Sequence, residues 1–452
     1  MNHRNPSHTI LLLLVLVWAE GLNAQTLTLD SCLSLARQNN SDIRTSQLEV
    51  EQASLVKRQV FTKYFPQVQL NAFAYNAVDP LIHFGISDIQ SSDMRDILNG
   101  LYNLVNETGS DIQNELSLMK SGASASLIAA QPIFAGGRIV NGNRLARLGV
   151  EAAGLQSEMK IRDILENIES TYYLVTGLQQ KEATIEAALA LIDSLDHTAQ
   201  IALENGLVTR ADALQLHLKR NEMLANKQQL TSGIRLSRRL LCQQIGIEYS
   251  DSIVFADPYN APIPTPPLTL VRPDDTKRPE LRLLEVGVEA ERLQKRLTLG
   301  ETLPQLTVVV GGYYGNALKN DASANAVALL TLSIPLTNWW ETSYKLRQHD
   351  IRIEEASIRQ DNLTKMMSIE EEKAYSDMVD AYMLLRSDSA ALDIAIENYR
   401  LAELNYKAGM VTLSEVLQAH ALLLQAQNAI TDRRTTYIMA WRRLYDLTNT
   451  DI

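Results

Sequence analysis

Cysteine, proline and glycine are all scarce in this chain, and each scarcity excludes something. Two Cys in 452 residues rule out a disulfide scaffold and a cysteine-built zinc domain. Beyond the first residues no apolar run of about eighteen residues occurs, so no helical membrane span is available, and any membrane residence must use β-strands. A 21% share of charged side chains beside 46% hydrophobic ones excludes intrinsic disorder. The net charge of −11 argues against nucleic acid, or an anionic membrane surface, as the main partner. No phosphate-binding Gly-rich loop, zinc-protease motif or local nucleophile signature is present. The chain therefore reads as a non-enzyme with no cofactor and no metal, its scattered Ser, His and Asp being surface or seam positions. Length alone suggests two to four domains. Proline placement is more informative: none lies between Ile133 and Asp257, and none after Pro335, where Gly409 is also the only glycine. Tracts so poor in breakers do not suit a domain with loops every dozen residues. They suit very long helices.

The N-terminus has the form of a secretory signal over residues 1–24. His3 and Arg4 precede an apolar run from Ile10 to Ala19, and Leu22-Asn23-Ala24 offers a cleavage site before Gln25. Cleavage removes Arg4 and Glu20 together, so the mature charge stays at −11.

The remainder is a repeat. The segment from Leu203 to Gln215 aligns with the "GMVTLSEVLQ" region, placing Gly206 on Gly409, Thr209 on Thr412 and Asp212 on Glu415, always 203 residues apart. The same offset puts Pro132 on Pro335. Nearer the N-terminus the offset is 238, pairing Pro66 with Pro304 and Lys57-Arg58 with Lys295-Arg296. The first copy (25–257) thus holds 35 extra residues between Pro66 and Pro132, and the second occupies 274–452. Between them, residues 258–273 contain six of the 13 prolines, a linker composition. Each copy predicts an amphipathic helix (Thr28 to Thr62; Arg278 to Leu299) followed by two strands of period-two alternation. The first pair is Gln67 to Tyr75 and Ala123 to Phe134. The second is Gln305 to Tyr314 and a segment in which Leu330, Leu332, Ile334 and Leu336 alternate with Thr331 and Ser333. Alternation over about ten residues is the signature of a membrane β-strand. The hairpins then span 67–134 and 305–336. Long helices follow, from Arg138 to about Leu203 and from Glu341 to about Tyr406, each about 100 Å at 1.5 Å per residue. After turns at Gly206 and Gly409, return helices carry heptads. One seam of the second copy is Val416, Leu423, Ile430, Tyr437 and Leu444; the other, Ala419, Ala426, Arg433, Ala440 and Leu447, is broken only by Arg433.

This ordered duplicate resembles the TolC family of outer membrane efflux and secretion channels over nearly the whole mature chain. The opening "LTLDSCLSLARQNNSDIR", the Pro-marked strand ends and the paired "GLVTRADALQ" and "GMVTLSEVLQ" tips carry the likeness. The resemblance implies an α+β membrane protein whose four strands per chain contribute to a trimeric twelve-stranded barrel, with long coiled-coil helices as a periplasmic tunnel. It implies a passive exit duct in a Gram-negative outer membrane. The partners it implies are two further copies, a periplasmic adaptor, an inner-membrane transporter of an efflux pump or type I secretion system, and outer membrane lipid. Independently, four strands cannot close a barrel, so an edge would face lipid unless chains associate. A periplasmic coiled-coil scaffold without a barrel is the alternative; it leaves the four alternating segments unexplained.

Several positions are singled out. Tyr64, Phe65, Phe134, Trp339 and Trp340 stand at strand–helix junctions, where an aromatic girdle is expected; core packing is the alternative. Glu415, Gln418, Asp212 and Tyr406 fall where the family closes its periplasmic mouth. Three Glu415 carboxylates brought together would repel one another or recruit a cation, while Gln418 replaces a second acid of some members, and Tyr406 takes a latching aromatic's place. The alternative is that the acids are helix starts complementing the dipole. The tips Gly206, Leu207, Val208, Thr209 and Gly409, Met410, Val411, Thr412 are where the resemblance places adaptor contact. His217 and His420 align at offset 203 and would bring six imidazoles to one level in a trimer, or merely flank the seam. Cys32 and Cys242 fall near expected helix ends, and an exported chain permits their pairing. The 76–122 excess holds Met94, Ile97, Leu101 and Leu104 at helical spacing after Ser92, a short amphipathic helix outside the cell.

Overall fold

The computed structural model describes residues 26–79, 82–85, 95–97, 99, 115–118, 121–205, 209–260, 262–267, 269, 278–316 and 322–448. The expected signal segment, the tip residues Gly206, Leu207 and Val208, and most of the 76–122 excess lie outside the described residues.

In chain order the elements are β1 (Thr26–Leu27), α1 (Leu29–Asn39), α2 (Ser41–Phe61), β2 (Gln67–Asn76), β3 (Ile82–Gly85), β4 (Glu115–Leu118), β5 (Ser121–Ala135), α3 (Arg138–Glu204), α4 (Arg210–Gln244), β6 (Val254–Phe255), α5 (Pro279–Gly300), β7 (Gln305–Gly315), β8 (Ser323–Ser333), α6 (Trp339–Lys407) and α7 (Leu413–Thr448). Among the described residues no helix is long and apolar enough to cross a membrane. The chain forms two compact units, and each draws on both sequence copies. A strand unit takes Ala53–Val150 and Gly287–Ala356; a helical unit takes residues up to Gln52, Glu151–Val286 and Ser357 onward.

The strand unit is built on one antiparallel sheet in the order β2-β5-β7-β8. Hairpins β2–β5 and β7–β8 come from different copies, and β5 pairs with β7 to join them. Strands β3 and β4 form a separate small ribbon. The β2 ladder ends at Gln67 opposite Ala130, so β5 continues paired only to β7, and a register shift follows between Pro132 and Phe134. A proline lacking an N–H fits there because that side of the strand has no partner. Its counterpart Pro335 lies beyond β8, which corrects the expected fourth strand: β8 runs from Ser323 to Ser333, and Ile334 and Leu336 fall outside it. The turn after β5 needs glycine. Gly136 has φ +61°, and a Cβ there would lie 2.2 Å from the Gly300 carbonyl oxygen.

In the helical unit the expected single helix over Thr28 to Thr62 is two, broken at Asn40. The Asn40 side chain accepts from the N–H groups of Asp42 (2.8 Å) and Ile43 (3.0 Å) and donates to the Gln244 carbonyl (2.6 Å), so one residue ends α1, caps α2 and holds the end of α4. Asparagine competes for backbone groups in this way more readily than it extends a helix. Cys32 and Cys242 are free thiols in one apolar cluster with Ala36, Ile168, Tyr172 and Leu241. Burial, and secondarily Cys242, pushes the Cys32 thiol up to about 12. A second cluster brings α3, α4, α6 and α7 together through Ile192, Leu216, Met223, Tyr399, Val416 and Ala419. A fully buried Leu or Met of this kind contributes about 1.5–3 kcal/mol. Along α7 the first heptad seam packs inward, with Val416 and Tyr437 at 0% exposure. Arg433, the break in the second seam, is held by Asp388 of α6 at 2.8 Å. The Pro-rich connection is bound to the helices: Tyr437 donates to the Pro264 carbonyl and Tyr375 to that of Pro267.

Candidate functional site

The helix starts at the two tips are built by the same local chemistry. After α6, Gly409 adopts φ +75°, its N–H meets the Tyr406 carbonyl (2.9 Å), and the Met410 N–H meets that of Asn405 (2.9 Å). This is a left-handed helix stop that only a residue without Cβ enters at little cost. Thr412 then starts α7: the Glu415 N–H donates to Thr412 Oγ1 (3.4 Å), whose hydroxyl contacts Glu415 Oε1 (3.1 Å). At the other tip Thr209 and Asp212 form a complete capping box: the Thr209 N–H donates to Asp212 Oδ2 (2.9 Å) and the Asp212 N–H to Thr209 Oγ1 (3.3 Å). Hydrogen bonds from the Thr209 side chain and backbone hold the Asp212 carboxyl below its usual range. The paired acids Asp212 and Glu415 are thus helix-start residues; Glu415 is exposed, as is Gln418, and Asp212 is half-buried.

Tyr406, Asp212, Thr209 and Thr412 line one recess of about 700 Å³ with Ile201 and Lys407. The Tyr406 hydroxyl is buried without a hydrogen-bond partner among the described residues, and burial, then the Asp212 charge, raise its pKa. Met410 at the tip is 69% exposed.

The aligned histidines are not equivalent. His217 is exposed, its Nε2 3.9 Å from Asp196. His420 is buried at 3% exposure against the Tyr399 ring (centroids 5.7 Å apart), and neither its Nδ1 nor the Tyr399 hydroxyl has a partner among the described residues. A single level of six like imidazoles does not follow from this arrangement. Among the described residues no group of three or more His, Cys, Asp or Glu is disposed to hold a metal. Burial, then Lys219 of α4, lowers the His420 pKa. The unfolded chain therefore takes up this proton first as pH falls, and stability is lost below about 6.5. Burial, then the Glu403 charge, raises the pKa of the neighbouring Tyr399. We expect the thermal midpoint to fall between pH 7 and pH 5, and His420→Leu to flatten that fall; an unchanged slope in the variant assigns it to other groups.

In the strand unit the five junction aromatics are all at least 40% exposed, with Trp340 at 76%. Trp339 and Trp340 are the first residues of α6, which begins two residues before the expected Glu341. Phe61, which the sequence pattern did not single out, joins this group: its ring lies 5.4 Å from Tyr64 and 5.7 Å from Phe65. Its place at the end of α2 was the available signal.

Residues 276–450 match the family model described as outer membrane efflux protein. No curated protein matches the chain by sequence. Among solved structures, that of CusC, described as undergoing conformational changes with folding and transmembrane channel formation, aligns at TM-score 0.72 and 15% identity over 93% of this chain and 91% of its own. The outer membrane protein VceC of Vibrio cholerae aligns at TM-score 0.69 and 16% identity, covering 93% of this chain and 95% of that one. The Campylobacter jejuni CmeC outer membrane channel aligns at TM-score 0.72 and 15% identity over 93% and 85%. Residues 276–450 thus carry an outer membrane efflux protein domain, and the chain shares the fold of these outer membrane channels along 93% of its length.

Proposed function

We propose that the chain is the passive outer membrane exit duct of an efflux pump or type I secretion system, working as a homotrimer joined to an inner-membrane transporter through a periplasmic adaptor. The sheet β2-β5-β7-β8 carries this reading. Among the described residues its outer strands β2 and β8 each have one unpaired edge, and none of its four strands contains Asp, Glu, Lys, Arg or His. In lipid such edges require closure, and three copies supply twelve strands, enough for a water-filled bore. The exposed junction aromatics suit the membrane interface. In this reading the domains follow the two sequence copies, the Gly206–Thr209 and Gly409–Thr412 turns meet the adaptor, and the acids beside them narrow the periplasmic mouth, with Tyr406 as latch. The test is reconstitution of detergent-purified protein into planar bilayers. Stepwise conductance is expected; a soluble monomer without channel activity, as a periplasmic coiled-coil scaffold would be, overturns the proposal.

Gating at Glu415 has its own expected result. Glu415→Ala removes three carboxylates from the mouth and should raise single-channel conductance about twofold or more, since a like-charge ring governs entry to a narrow pore. Thr412→Ala disturbs the same cap and leaves the charge. Equal effects of the two variants, or unchanged conductance in intact trimers, mean that Glu415 serves only the helix start.

A further inference from the structure

The register of the sheet sorts its side chains onto two faces, because directly paired residues share a face and neighbours along a strand do not. One face carries Val68, Leu70, Ala72 and Ala74 of β2. Pairing extends it through Leu127 of β5 to Ala326 of β8, and polar residues enter it only near strand ends, as Asn76, Ser121 and Gln131. The other carries Gln67, Gln69, Asn71, Phe73 and Tyr75. Across the sheet Asn71 lies opposite Ser126, Ser126 opposite Tyr313, and Tyr313 opposite Asn325. One row over, Gln69 faces Ile128, and Gly311 continues the row to Val327. In a closed barrel the first face meets lipid and the second lines the bore. The second face holds amides, hydroxyls, aromatic rings and a few aliphatic side chains, yet no charge, in a chain that is 21% charged.

Building on the duct reading, we propose that the barrel segment is an electrically neutral, amphiphilic bore whose cargo class is organic solutes, recognised by ring stacking and hydrogen bonding and passed irrespective of charge. Phe73 and Tyr75, two residues apart on this face, stack with centroids 6.4 Å apart and planes 25° apart. They give a flat aromatic surface beside amide and hydroxyl groups, which suits a molecule apolar on one side and polar on the other. Hydrated divalent cations would find no carboxylate on these strands to replace their water. Discrimination by charge then belongs to other parts of the channel.

Thiol reactivity in the assembled, reconstituted protein tests this. Asn71→Cys places a thiol on the bore face and Ala72→Cys one on the lipid face. Cys32 and Cys242, at 0% and 1% exposure, give little background, which the parent protein measures. The probes are two methanethiosulfonates of similar size, one bearing a trimethylammonium and one a sulfonate, applied in about 0.15 M salt, where distant charges are screened beyond about 8 Å. Each thiolate attacks the reagent sulfur, forms a mixed disulfide and releases methanesulfinate. After correction for reactivity with a free thiol, the two rates at Asn71→Cys should agree within about threefold, since a bore potential of one kT separates singly charged probes of opposite sign by about sevenfold. Ala72→Cys should react with neither. A sevenfold or larger preference at Asn71→Cys overturns the neutral bore, and reaction at Ala72→Cys alone overturns the assignment of faces. Should Asn71→Cys fail to assemble, Ser126→Cys reads the same face. Loss of the duct reading is distinguishable, because it appears as absence of conductance in the parent protein.

Discussion

Leu127→Arg should abolish outer membrane insertion, whereas Ser126→Arg, one residue earlier in the same strand, should leave it intact. Both lie in the inner strand β5, paired on each side, so neither substitution touches an edge. Leu127 shares its face with Leu70 and Ala326 and is 54% exposed in the single chain; Ser126 lies between Asn71 and Tyr313 on the opposite face. An arginine facing lipid near the midplane costs about 2–4 kcal/mol, and three copies in a trimer place three such charges in one barrel. An arginine facing an aqueous bore keeps its hydration. Membrane-fraction recovery and the oligomer band of unheated samples measure the contrast. Equal loss in both variants would mean that the two faces meet similar surroundings. Ser126→Arg should also turn the bore toward anions, a shift legible in the reversal potential across a salt gradient.

Arg278→Met should be the most destabilising single change in the helical unit. The Arg278 side chain is 6% exposed and lies among Glu370 (3.4 Å), Glu371 (3.7 Å) and Glu280 (3.8 Å). Glu371 is itself 1% exposed. Removing the guanidinium takes away a buried cation that lies against three acids, a loss of about 3–5 kcal/mol on the scale of a broken buried ion pair. Burial also opposes ionisation of Glu280, but Arg162, which bonds it directly, and the Arg278 charge outweigh it and hold its carboxyl below the usual range. Adding Glu371→Gln to Arg278→Met should recover a large part of the loss, since a neutral amide tolerates burial better than a carboxylate that has lost a neighbouring guanidinium. Thermal midpoints of the parent, both single variants and the double variant close the cycle. Additive losses would show that the two side chains do not act on each other.

Much of the architecture was legible before any coordinates. Breaker-poor tracts marked α3 and α6, two constant offsets marked the copies, and alternation located β2, β5 and β7. The misplaced fourth strand has a simple cause: Leu330, Leu332, Ile334 and Leu336 keep their period past Ser333, and periodicity alone does not say where the partner strand stops pairing. Asn40 was missed as a helix break because the apolar pattern continues across it, although its side chain takes over the hydrogen bonds of both helix ends. Arg433 breaks the seam pattern in sequence because its partner Asp388 lies on another helix, 45 positions away.

The candidate site was legible in part. Gly409 encodes a helix stop, and the matching Thr and acid positions at the tips encode helix starts; both are local and depend on residues three or four apart, so sequence determined them. Equivalence of His217 and His420 did not survive, because burial depends on which neighbouring helix covers each position. The same division holds for the membrane portion. Sequence alone determined that four uncharged segments alternate with period two, since alternation is a property of a single strand. Only the tertiary structure decided that their polar sets coincide on one face, because that rests on the register of three strand pairings between residues up to about two hundred positions apart.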